Sequence, residues 1–252
     1  GHSFAQLDAM VILLLLASAV VKQSLELANW WWCLGIDANY HPDLIAALRS
    51  HFVGLALRFV VPGGHGVWGK VFFVGDSKRM TALSVGVERF FITWTTILYA
   101  VIAGQFYFTS LAWEIRIGVL LITMCLPFLA WIIWRRWKSD SNLPRQYLLI
   151  IPRILLTRGL FIGITSLQYW LVLTRLGDIS LPQALICTPV ILFANAIPVS
   201  YSGLGLREGF AVQVLSSLGF APEAAVTVSL TVFLFNTLLP GLPGAFFIAT
   251  HK

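Results

Sequence analysis

The stretch MVILLLLASAVVKQSLELANWWWCLGI, Met10–Ile36, decides the fold. A helix needs about 20 mostly apolar residues to cross the hydrocarbon core of a bilayer. This run supplies them, and it is too long for a cleaved signal. It carries two charges, Lys22 and Glu26, four residues apart and so on one helix face, with Asn29 continuing near that face. A charge at the centre of a membrane helix costs about 2.5–3.5 kcal/mol on insertion scales, so each calls for a partner or a task. Two readings are open: a local ion pair facing another helix, or one wall of a polar cavity.

The rest of the chain has the same character. Of its 252 residues 58% are hydrophobic and only 11% charged, and the mean hydropathy is +0.83. A soluble domain is about 25% charged, so this chain reads as an integral membrane protein. Ten tryptophans agree, because Trp favours the membrane interface. The net charge of +6 suits contact with anionic headgroups. Apart from the short Arg135–Lys138 cluster there is no basic run, which argues against nucleic acid as a partner. Cys33, Cys125 and Cys187 show no metal-ligand spacing and read as small buried hydrophobes. The five histidines show no such spacing either, so neither metal nor cofactor is expected. Gly1-His2-Ser3 reads as an expression remnant or as a cut into a longer chain.

Further apolar runs follow at Thr81–Phe108, Ile115–Trp134, Tyr147–Leu173, Pro182–Val199 and Glu223–Ala249. Two pieces are shorter, His51–Val61 and Phe210–Phe220. An 11-residue helix extends about 16 Å, roughly half the hydrocarbon thickness. Each short piece lies beside a Gly/Pro break, Pro62-Gly63-Gly64 or Gly203–Gly205. Broken backbone at membrane depth must be buried in protein or line a cavity, and paired broken segments point to a binding site near the midplane. The expected architecture is an all-α polytopic membrane bundle, one domain over residues 1–252. It has about six full spans and two re-entrant or broken segments, in halves 9–108 and 115–250. Arg135, Arg136, Lys138 and Arg145 mark one loop as cytoplasmic, and Lys70, Lys78 and Arg79 mark the Gly64–Met80 loop as lying on the same side.

The deep cations are mostly arginines, which grip phosphate through a planar fork of donors. Arg58, Arg89, Arg158 and Arg207 could line a cavity for an anionic headgroup, with Glu26, Glu88 and Glu208 balancing part of the charge. Arg153 and Arg158 diverge by roughly 140° on a helix, so Arg153 is expected at the interface and Arg158 inside. In SYSGLGLREG, Ser200–Gly209, the glycines Gly203, Gly205 and Gly209 would let the backbone bend. Amides at the start of the following helix favour anions. There Arg207 would meet a phosphate and Glu208 an arginine or a cationic group; a purely structural Arg–Glu lock is the other reading. Gly64-His65-Gly66-Val67-Trp68-Gly69-Lys70 matches the first part of a phosphate-binding loop, but Val71 replaces the required Ser or Thr and no βα unit surrounds it. No nucleophile–base pair stands out, so no catalytic residue is assigned.

Two stretches, RFVVPGGHGVWGKVFFVGDSKRMTALSVGVERF (Arg58–Phe90) and ANAIPVSYSGLGLREGF (Ala194–Phe210), together resemble the lysylphosphatidylglycerol synthase transmembrane family of flippase-like membrane proteins. The matching residues are Pro62-Gly63-Gly64, Ser84-Val85 with Glu88-Arg89, and Pro198 with Gly203-Leu204-Gly205, Arg207 and Glu208. His65, Lys70 and Ser202 depart from the family pattern, which bears on headgroup preference rather than fold. The first span here looks like the family's second. The resemblance implies a lipid translocase of a bacterial or archaeal cytoplasmic membrane. Its cargo would be an anionic phospholipid, an aminoacyl-phospholipid or a polyprenyl-phosphate-linked glycolipid. A glycosyltransferase or synthase partner and a homo-oligomer are compatible with it. Without a soluble synthase domain, lipid aminoacylation itself is not expected of this chain. Two other classes stay open: an enzyme transferring a group from a lipid-linked donor, with Glu88 or Glu208 as base, and a membrane subunit of a synthase.

Overall fold

A computed structural model describes residues 8–36, 43–74, 78–137, 143–197, 199 and 203–250. Lys138, Pro198 and Ser202 lie outside them. The described residues are helical and contain no strand. The helices are α1 (Ala9–Leu34), α2 (Leu44–Leu57), α3 (Lys78–Tyr107), α4 (Trp113–Trp137), α5 (Leu143–Leu173), α6 (Leu181–Leu192), α7 (Leu206–Ser216), α8 (Pro222–Phe233) and α9 (Leu239–Thr250). A 3₁₀ segment, Pro62–Phe73, follows α2; a 3₁₀ turn, Phe193–Ala196, follows α6; and a π-turn, Leu234–Leu238, joins α8 to α9.

Five stretches are long and apolar enough to cross a membrane: α1, α3, α4, α5 and the continuous α8–α9. Large apolar side chains cover their outer faces, among them Leu13, Val20, Ile122, Phe128 and Leu156, while charge lies inside. The chain is an integral membrane protein.

Helix directions follow from the contacts. Trp94 with Thr123 and Gln105 with Arg116 set α3 and α4 antiparallel. Tyr147 with Pro127 does the same for α4 and α5. Ser18 with Gln168, Lys22 with Thr165 and Asn29 with Thr157 run α1 antiparallel to α5. One end of the bundle therefore holds the starts of α1 and α4 and the ends of α3 and α5, where exposed Asp8 and Arg175 pair at 3.1 Å. We call it the Asp8 end. The opposite, Lys78 end holds Lys78, Arg79, Arg135, Arg136 and Arg145, all exposed.

The short helices form two hairpins. α2 and its 3₁₀ return start after α1 and finish before α3, both at the Lys78 end. α6 and α7 leave from the end of α5 and come back beside it: Tyr107 and Ser217 share a hydrogen bond at the Asp8 end. The expected crossing Pro182–Val199 is therefore not a crossing. The Ser180 capping box starts α6, and helical structure stops at Ala196. Ile197 is extended (φ −88°, ψ 114°), as a residue before proline tends to be. Both short helices also begin earlier than expected. Asp43 caps α2 by accepting from Ala46 N–H, and α7 starts at Leu206 instead of Phe210.

Prolines inside the long helices tie them to their neighbours, because a proline offers no N–H to the carbonyl four residues back. For Pro127 that carbonyl is Thr123, and Trp94 Nε1 donates to it at 2.7 Å. For Pro240 it is Asn236, beside the π-turn, and Gln23 Nε2 donates at 3.1 Å. Cys33 and Cys187 are buried as expected, whereas Cys125 is exposed on the outer face of α4.

α9 lies against α2 so closely that a Cβ at Gly244 would run into the Phe52 carbonyl. Gly244→Ala is expected to destabilise the protein by about 1–3 kcal/mol, the usual cost of overpacking. Gly118→Ala, which meets no neighbour within 4 Å, serves as the neutral control. Thermal unfolding in detergent measures both; equal stabilities would refute the close α2–α9 contact.

Candidate functional site

Two apolar clusters divide the bundle. One, at the Asp8 end, contains Val11, Leu15 and Ala19 of α1 with Tyr169, Val172 and Leu173 of α5. The other, at the Lys78 end, contains Trp30, Cys33 and Leu34 of α1 with Tyr147, Ile150 and Ile154 of α5. Between them the same two helices turn polar: Lys22, Gln23, Glu26 and Asn29 on α1, and Thr157, Arg158, Thr165 and Gln168 on α5, all buried. Buried polar groups cost free energy unless they are hydrogen-bonded, and here they bind one another. Lys22 donates to Thr165 and Gln168 at 2.6 and 3.3 Å. Gln168 exchanges hydrogen bonds with Asn236. Thr157 donates to Asn29 at 2.6 Å. Lys22 and Glu26 share a face but do not pair with each other; each faces α5 separately.

A cavity of about 140 Å³ opens in this polar layer. The tips of both hairpins reach it: Arg58 ends α2, and Asn195, Ile197, Gly203 and Arg207 come from the α6–α7 turn. α3 adds Arg89, Thr93 and Thr96, α5 adds Arg158 and Phe161, and α1 adds Glu26. Of the residues singled out in the sequence, Arg58, Arg89, Arg158, Arg207 and Gly203 thus share one cavity. Gly203 has φ +83°, and its Cβ position would collide with Asn195 Oδ1, so only glycine suits this turn.

Two of the arginines are almost fully buried, Arg158 at 4% and Arg207 at 5% exposure. Arg158 reaches Glu26 Oε1 and Thr96 Oγ1, both at 3.4 Å, and lies over the Phe161 ring. Its Nε is buried without a hydrogen-bond partner among the described residues. Arg207 donates to Glu208 at 2.7 Å and to Ser229 at 3.0 Å, above the Phe233 ring. Glu208 also accepts from Gly205 N–H at 2.6 Å, closing the first turn of α7. Gly205 and Glu208 therefore shape the turn that presents Arg207, outside the lining, and one amide at the start of α7 is already occupied. Arg153 is exposed beside Trp32, as the helix angle predicts.

Glu88 lies elsewhere. It takes two hydrogen bonds from Lys70 Nζ, at 2.7 and 2.8 Å, in a pocket where Lys70 also covers the Trp30 ring. Lys70 is 1% exposed, so it is no part of a solvated loop. The sequence did not signal Asn195, whose run Pro182–Val199 carries no charge to draw attention, or Thr96, which lies seven residues beyond Arg89 and carries no charge itself. Beyond the cavity, the α3 face that carries Arg89, Thr93 and Thr96 continues through Ala100 and Gly104. There it forms an apolar groove of about 300 Å³ closed by Val190, Phe193 and Phe210.

A bundle of this kind, with a charged cavity between paired broken helices, defines a polytopic membrane protein with a central polar site. The family model of the lysylphosphatidylglycerol synthase TM region matches residues 1–244, and the chain belongs to that family. No curated protein and no solved structure matches the chain at a significant level.

The Lys70–Glu88 pair joins the 3₁₀ return of the first hairpin to α3. Removing one partner of a buried pair strands a charge and costs about 3–5 kcal/mol, whereas replacing both with apolar residues is often neutral. Lys70→Met is expected to lower stability by that amount, and Lys70→Met with Glu88→Leu to recover most of it. Unfolding of both variants in detergent decides it; a stable single variant would show that the pair bears no such strain.

Proposed function

We propose that the chain moves a lipid with a phosphate-bearing headgroup between the leaflets of a cytoplasmic membrane. The candidate cargoes are an anionic phospholipid, an aminoacyl-phospholipid or a polyprenyl-phosphate-linked glycolipid. The observation that carries the reading is the cavity itself: four arginines from four separate elements around one space midway between two apolar layers. Guanidinium groups gathered at membrane depth attract an anionic group. Phosphate is the lipid group whose geometry fits their donors.

The two hairpins support movement across the membrane over simple binding. Each starts and ends at its own end of the bundle, and their tips meet at the cavity. We read them as re-entrant segments. Opening one hairpin at a time would expose the site to one leaflet and then the other, the logic of alternating access around a fixed central site. The apolar groove along α3 offers acyl chains a path while the headgroup sits among the arginines. The positive charges at the Lys78 end orient that end toward the cytoplasm. Transport is favoured over group transfer because Glu88 and Glu208 are both engaged with cations away from the lining.

The test is leaflet exchange in proteoliposomes, using a fluorescent anionic phospholipid and a polyprenyl-phosphate sugar. The wild-type chain is expected to exchange at least one of them. Arg89→Ala and Arg207→Ala, confirmed as folded by thermal unfolding, are expected to slow exchange about tenfold or more, the loss of one charged hydrogen-bond donor. No exchange of either lipid by folded wild type, or unchanged rates in both variants, would overturn the reading.

A further inference from the structure

We infer that Lys22 is a proton-binding site coupled to the cavity, taking up a proton when an anionic headgroup settles there and releasing it when the headgroup leaves. This rests on the reading of the cavity as an anion site and adds a proton to the cycle proposed above.

Four lysine and arginine side chains are buried among the described residues: Lys22, Lys70, Arg158 and Arg207. Three of them are held by a carboxylate, Lys70 by Glu88, Arg158 by Glu26 and Arg207 by Glu208. Lys22, only 1% exposed, forms no ion pair among the described residues. Its Nζ donates to two neutral oxygens, Thr165 Oγ1 and Gln168 Oε1, and lies 4.2 Å from the centre of the Phe161 ring. A buried ammonium without a counter-charge is costly. Lysine can escape that cost as the neutral amine, which arginine cannot. The amine keeps two hydrogens, enough for both hydrogen bonds, so these contacts accommodate Lys22 in either protonation state.

Phe161 and Gln168 tie Lys22 to the cavity. Phe161 lines the cavity, and its ring also carries the Arg158 guanidinium at 4.4 Å. Gln168 exchanges hydrogen bonds with Asn236, another lining residue. Lys22 thus stands one side chain behind the cavity wall. The charges that act on it are Glu26 one turn along α1, Arg158 on α5 and Arg207 on α7. Glu26 and Glu208 are the carboxylates that hold those two arginines. Arg89 of α3 and Arg58 at the end of α2 line the same cavity, and His51 of α2 is bonded to Gln23, the residue after Lys22. The π-turn brings Asn236, which does not titrate. An anion bound beside Arg158 adds negative charge close to Lys22, and any loosening of Arg158 from Glu26 adds more. Both favour the ammonium over the amine. The proton comes from water and returns to water, and no other bond is made or broken.

Binding and proton uptake are measured together on the detergent-purified chain, without transport. The probe is dioctanoyl phosphatidylglycerol, whose phosphodiester does not itself titrate at the pH values used. In weakly buffered solution between about pH 6 and 9, a pH-indicator dye reads protons and intrinsic tryptophan fluorescence reads occupancy. Wild type is expected to take up as much as about one proton per lipid bound, and its affinity to rise by up to about tenfold for each unit the pH falls where uptake occurs. Lys22→Met and Lys22→Arg, confirmed as folded by thermal unfolding, are expected to bind the lipid with no uptake and a flat pH dependence. The first has no group to titrate, and the second keeps its proton. Gln168→Glu, of nearly the same shape, supplies the missing carboxylate and should hold Lys22 as the ammonium, again abolishing uptake. Binding by wild type without uptake overturns the inference, as does uptake that persists in any folded variant of the three. No binding of the lipid overturns the anion-site reading and the inference with it. Proton-linked binding without leaflet exchange would uphold the Lys22 site and overturn translocation.

Discussion

The contact between Arg158 and Glu26, 3.4 Å long and set between two apolar layers, stands for the constraint that organises this molecule. Charge withdrawn from water has to be met by other charge or by hydrogen bonds. The bundle meets it by gathering polar residues of α1 and α5 into one band and sealing that band above and below with apolar side chains. Everything that reaches the band, from the hairpin tips to the π-turn of α8–α9, comes there with a polar group to contribute.

The same constraint explains where the helices are allowed to break. Proline and π-turn interruptions free backbone carbonyls, which in a lipid environment need donors from neighbouring helices. Trp94 supplies one to Thr123 and Gln23 one to Asn236. The latter links the start of the polar band on α1 to the bend that divides α8 from α9. Chain breaks and buried polar side chains are thus two halves of one arrangement, and neither would be stable at this depth without the other.

Much of this was legible in the sequence. The Met10–Ile36 run, the short segments beside Pro62-Gly63-Gly64 and Gly203–Gly205, and the deep charges led to the helical bundle and to the charged residues that line the cavity. Partner choice was not legible. Lys22 and Glu26, four apart on one face, look like a local pair, yet longer-range partners on α5 claim each of them. Glu88 and Arg89 are adjacent and diverge completely, because neighbours on a helix point about 100° apart; one enters the cavity while the other meets Lys70. The Pro182–Val199 run has the composition of a crossing helix, and what shortens it is the fold's need to bring Asn195 and Gly203 to the centre. Composition reports how oily a segment is, but where it turns back depends on what it must reach.

α4 contributes little to the interior, with only 11% of its apolar window buried. Its importance is one of parity. The unit α1, first hairpin, α3 begins at the Asp8 end, takes its hairpin from the Lys78 end and finishes where it began. The unit α5, second hairpin, α8–α9 has the same order of parts but begins at the Lys78 end and takes its hairpin from the Asp8 end. A single extra crossing between them is enough to turn the second unit upside down, and α4 is that crossing. Remove it, and both hairpins would enter the bundle from the same end, leaving the other end without one.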